Sequence, residues 1–189
     1  MSYWIDIVGS FVIAAIVTLI LTNVNISVSN AATENLTSGL MQRRVTSATD
    51  LIEYDLYKIG YRTTSNKIAI ADSNEIKFDS DIDNDGVTDE IHYVADNTNL
   101  LTNTSNPEDY LLTRTKNNMT PAASIVVVDF KLNYYDSLGQ EMNYSSLTNQ
   151  SERDKIKTIR VKMECESEEM IDGHYEAVEW MKKIKPKNI

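Results

Sequence analysis

No proline occurs before Pro107, and the 189-residue chain holds only three. No proline therefore stops a helix at the membrane surface. Basic residues are also missing at the start, the first being Arg43. That excludes the basic n-region of a secretory signal, and no A-x-A-like cleavage site follows the first apolar run, so this segment is expected to stay attached. It also leaves the positive-inside rule without a flank to act on. Cys165 is the one cysteine, which excludes an intrachain disulfide. The two histidines, His92 and His174, lie far apart in sequence. The formal net charge of −10 argues against a nucleic-acid surface. No nucleophile–base pair, glycine-rich phosphate loop or histidine-containing metal motif is present, so an enzyme is not expected.

What is there begins with YWIDIVGSFVIAAIVTLILTNVN. From Trp4 to Val24 the chain is almost wholly apolar, enough for about 31 Å of helix and a bilayer core. Its only charge is Asp6, which reads either as a helix-start acid held by the dipole or as the partner of a cation, a free α-amino group being the nearest candidate. Past Val24 the composition turns to Ser, Thr, Asn and Ala. Apolar residues then recur at Leu36, Leu40, Met41, Val45, Ala48, Leu51, Ile52, Leu56 and Ile59, at spacings of three and four. One helix of roughly 55 residues fits, apolar all round first and amphipathic after, with Gly60 as its stop.

Beyond it the period changes to two. Lys67–Ala71, Glu75–Phe78, Glu90–Val94, Tyr110–Lys116, Ser124–Tyr135, Gln140–Tyr144, Thr158–Ser167 and His174–Ile184 read as strands. In the longest, Val126, Val128, Phe130, Leu132 and Tyr134 share one face. In Thr158–Ser167 the inward set is Ile159, Val161, Met163 and Cys165, so the thiol is expected to be buried and inert. The turn before the last strand is Asp172-Gly173, with His174 on the solvated surface. The fold class is α+β: a long N-terminal helix packed by its second half on a C-terminal antiparallel sheet of roughly five to seven strands. Residues 1–24 form an apolar transmembrane or filament-core segment, 25–62 its amphipathic continuation and 63–189 the β-rich domain.

One stretch stands apart, DSDIDNDGVTDE. Taking Asp81 as position one puts Asp83 at three, Asp85 at five, Gly86 at six and Asp89 at nine, with Val87 offering its backbone carbonyl. Oxygen donors at that spacing favour Ca2+. His92 stands at position twelve, so the loop is shorter than a full EF-hand; Asp79 and Glu90 are extra ligand candidates. The competing reading is a solvated Asx-rich hairpin turn, since Asp-Gly signals a turn unaided.

An apolar N-terminal helix with an acid near its start, an unbroken amphipathic continuation and a C-terminal sheet resemble the type IV pilins and pseudopilins, minor pilins in particular. With Met1 removed, Asp6 is the fifth residue, where that family carries Glu. The resemblance implies that Asp6 neutralises an N-terminal amine during assembly. It further implies a structural filament subunit, with copies of itself or related pilins as partners, held in the inner membrane before assembly and displayed outside the cell afterwards. The alternative is a single-pass protein presenting a Ca2+-binding β domain as adhesin or receptor.

Overall fold

The structure is a computed structural model and describes residues 2–64, 66–119, 123–170 and 173–189. Met1, where the removal step would act, and Asp172 of the expected turn lie outside the described residues. The absence of proline has its direct outcome in α1, Ser2–Tyr57, a single helix of 56 residues. At 1.5 Å per residue it is a rod of about 84 Å. Several polar side chains of its upper part find partners within the helix itself. The hydroxyls of Ser10, Thr18, Thr22, Ser27 and Thr33 each donate to the carbonyl four residues back, as does the Asn35 amide. Side chains satisfied within the helix can sit in an apolar surrounding at little cost.

The amphipathic stripe is buried only from Met41 onward: Met41, Val45, Ile52, Leu56 and Ile59 enter the core, whereas Leu36 and Leu40 remain exposed. His174 and Glu176 of the β domain reach as far up as Glu34, but the buried core does not extend above Met41. At the lower end Gly60 takes φ +74°, and a Cβ there would lie 2.8 Å from the Lys67 side chain. Positive φ and close approach together select glycine, and its N–H donates to the Asp79 carbonyl at 2.9 Å.

Among the described residues eight strands follow: β1 Ile68–Ala71, β2 Glu75–Ser80, β3 Asp89–Ala95, β4 Tyr110–Lys116, β5 Ala123–Val127, β6 Asp129–Tyr135, β7 Thr158–Glu166 and β8 Ala177–Ile184. They form two antiparallel sheets, β1-β2-β3-β4-β5 and β6-β7-β8, rather than the one expected. The division falls inside the stretch read as a single strand, Ser124–Tyr135. Tyr110 pairs with Val127, and two residues later Asp129 pairs with Glu164. Val128 is the switch, its N–H donating to the Glu164 carbonyl. There the inward face changes parity, with Val127 buried on one side and Phe130, Leu132 and Tyr134 on the other. Regular alternation of side chains cannot reveal a strand that changes sheets, because both halves alternate. Gln140–Tyr144 is also no strand; a single bridge joins Glu141 to Tyr135. A short helix α2, Gln150–Arg153, went unforeseen, and Arg153 from it donates to the carbonyls of Ile68, Leu147 and Thr148.

The two sheets are joined by main-chain and tyrosine bonds. Leu132 N–H donates to Ser73, and the Tyr134 hydroxyl to the Asp72 carbonyl. α1 packs chiefly on β8 and β7. Its link to the larger sheet is polar: Asp55, fully buried, accepts from Arg114 Nε at 2.5 Å, Arg114 Nη2 at 3.3 Å and the Tyr93 hydroxyl at 2.7 Å. Burial and the Asp55 charge push the Tyr93 hydroxyl well above its ordinary pKa. Inward-facing Cys165 is buried as its alternation requires, and burial pushes its thiol up to about 12.

Candidate functional site

Two features stand out. The first is the upper rod. From Tyr3 to Val28 every large apolar side chain is exposed, Trp4 at 75%. The segment is long and apolar enough to cross a membrane, and none of its most apolar window is buried within the protein. An apolar patch of this extent on all faces marks a surface made for lipid or for other helices. Asp6 lies at its top, exposed, beside Tyr3, Ile7 and Ser10. Where the rod meets the domain, an apolar groove of about 840 Å3 opens between α1 and β5, lined among others by Leu40, Ala48, Leu51, Leu112 and Ile125.

The second feature is the acidic loop between β2 and β3. Asn84 at φ +64° and Gly86 at φ +88° curl it into a tight turn. That curl brings a carboxylate oxygen from each of Asp81, Asp83 and Asp85 within 4.8 Å of one another, close enough to hold a metal ion. The Asp81 side chain is 1% exposed. One of its oxygens, Oδ2, accepts from the Gly86 N–H at 3.2 Å and from Arg62 Nη1 at 3.3 Å. The other, Oδ1, is buried without a hydrogen-bond partner. A buried carboxylate oxygen left bare is costly unless something cationic completes it.

Asp89 and Val87 stand differently. Asp89 opens β3, and its carboxylate faces Lys116 Nζ at 3.0 Å, the Ile82 N–H at 3.3 Å and the Asn117 amide at 2.9 Å. Val87 uses its N–H, donating to Asp85 Oδ1 at 2.7 Å. Of the two extra candidates, Glu90 pairs with Lys77 at 2.9 Å, and Asp79 falls outside the three-carboxylate group. His92 points to Glu75.

The loop's cations come from far along the chain. Lys116, the last residue of β4, donates to Asp83 Oδ2 at 2.7 Å while also facing Asp89. The Lys116 contact holds the Asp83 carboxyl below its usual value, and the same contacts raise Lys116. Tyr54, in the last turn of α1, and Lys58, just past its end, both donate to the Ile82 carbonyl, at 2.9 and 2.7 Å. The loop is thereby fastened to the foot of the rod. A strand-end lysine thirty residues downstream carries no local signal, so no spacing pattern could have named it.

His174, read as solvated surface, is exposed, but the fold sets it beside Glu34 and Glu176 in a second group of potential ligands. Glu34 belongs to the rod, so only the packed structure shows the grouping.

The chain matches no family model, and no curated protein or solved structure shows a significant similarity to it. A long apolar N-terminal helix packed on antiparallel sheet is compatible with a pilin-like architecture.

Proposed function

We propose that the chain is a structural subunit of a pilin-like filament, assembled through the upper half of α1 and carrying a Ca2+-binding loop in its β domain. The observation that carries this reading is the rod: the helix from Tyr3 to Ala32 stands clear of the domain that the lower end anchors. Residues 1–24 would lie in the inner membrane before assembly and in the filament core afterwards, with copies of the chain or related subunits around them. Packing there needs close approach, and Gly9, Ser10, Ala14 and Ala15 supply small residues for it. The apolar groove beside Leu40 would be covered by a neighbouring subunit.

Asp6 separates this reading from a single-pass adhesin or receptor, for which an exposed apolar helix serves equally well. A carboxylate in a dry core must find a cation or take up a proton. An N-terminal amine, from its own or a neighbouring chain, meets that need. Asp6→Ala should reduce filament number, counted by negative-stain microscopy of shed surface material, while near-UV circular dichroism of the β domain stays unchanged. Mass spectrometry of the same material identifies the N-terminal residue. Filaments in normal number from the variant would overturn the assembly role and leave the single-pass reading.

A further inference from the structure

We propose that Lys116 is the resident counter-ion of the acidic loop and that a divalent cation, Ca2+ by its oxygen ligands, binds by displacing it. This rests on the metal-binding reading of the loop. Three observations support it, two in the loop and one at the end of β4. Asp81, Asp83 and Asp85 already converge, so no backbone rearrangement is needed to bring ligands together. Asp81 Oδ1, buried and without a partner, provides an oxygen for a further cation that neither Arg62 nor Gly86 has satisfied. Lys116 Nζ, by contrast, is shared between Asp83 and Asp89, two of the carboxylates a metal would recruit.

A lysine ammonium and a divalent ion compete for the Asp83 carboxylate. The ammonium is a monovalent cation on a flexible stem, and its side chain is 28% exposed, so it can swing into solvent. A divalent ion brings twice the charge and draws several oxygens inward at about 2.3–2.6 Å. Exchange releases Asp83 and Asp89 from Lys116 and leaves both carboxylates to the metal. Affinity is then set by the difference between two cations rather than by the metal alone. Lys116 ends β4, and neighbouring Asn117 holds both Asp89 and the Glu90 N–H. The exchange therefore takes place at the corner where β3 and β4 meet.

The test uses the full chain in detergent micelles with Ca2+ as the probe. Calorimetric titration of Lys116→Met should give binding about tenfold tighter than the unaltered chain, the removal of two ion pairs of ordinary strength. Lys155→Gln, which loses only a pair with Glu152, should bind as before. A second measurement needs no variant: lysine acylation followed by mass spectrometry should show Lys116 labelled faster at saturating Ca2+, with Lys155 unchanged. Equal affinity in a folded Lys116→Met chain, or unchanged Lys116 labelling at saturation, overturns displacement while leaving metal binding intact. No Ca2+ binding by either chain overturns both.

Discussion

Asp55 is the one helix residue that ties α1 to the larger sheet by charge, and its removal should be severe. Asp55→Ala leaves the Arg114 guanidinium, in a side chain only 10% exposed, without its counter-charge. The Tyr93 hydroxyl loses its acceptor as well. Breaking a buried pair from one side costs about 3–5 kcal/mol, because the remaining charge is stranded rather than because the pair was strongly favourable. For a chain of this size that is a fall in melting temperature of about 8–15 °C. The paired replacement Asp55→Leu with Arg114→Met removes both charges and should recover most of that loss, leaving about 1–3 kcal/mol for the Tyr93 hydroxyl that still lacks an acceptor. Thermal unfolding of the full chain in micelles, followed by near-UV circular dichroism, reads both. Two results would refute the reasoning: Asp55→Ala costing under about 1 kcal/mol, or the double variant falling as far as the single one.

Melting temperature should rise with Ca2+ over chelator, since an ion that binds only the folded loop adds about 2.7 kcal/mol at a hundredfold excess over its Kd. Asp83→Ala should abolish that difference and Glu152→Ala, outside the loop, should keep it; equal melting with and without Ca2+ would leave the plain hairpin turn. Asp109 is fully buried with both carboxylate oxygens unpartnered, and burial raises its pKa above the ordinary 3.8. Its ionisation works against folding. The penalty is absent below pH 3.8, where folded and unfolded chains are both protonated, and grows above that until the folded pKa is passed. Asp109→Asn should therefore stabilise by about 1–2 kcal/mol at neutral pH, with the gain fading in acid; a constant gain across the range would show that charge is not its cause.

The rod was legible because each of its determinants is local: no proline, an unbroken apolar run and a stripe at helical spacing. Most strands were legible for the same reason, down to the burial of Cys165. Long-range pairings were not. Val128 looks like any alternating residue, yet it is where the chain leaves one sheet for the other. Asp81, Asp83 and Asp85 converge at the spacing their sequence suggests, but Lys116 and Arg62 arrive through the fold. The Asp55–Arg114 pair did leave a trace. Asp55 lies between Ile52 and Ile59 on the buried helix stripe, and Arg114 follows Tyr110 and Leu112 on the inward face of β4. Two opposite charges at inward positions would have suggested that they meet.

The unbroken rod also makes the molecule an indexed shaft. Because α1 passes from exposed apolar surface to buried stripe without a joint, the heading of the β domain is geared to whatever grips the top. Adding one residue anywhere between Val28 and Ala32 would lift the domain by about 1.5 Å and turn it by about 100° about the axis. Adding seven would bring it nearly back to its original bearing, about 10 Å farther out. The polar middle of the rod, which touches little and bonds mainly to itself, is thus where the length and facing of every domain are set.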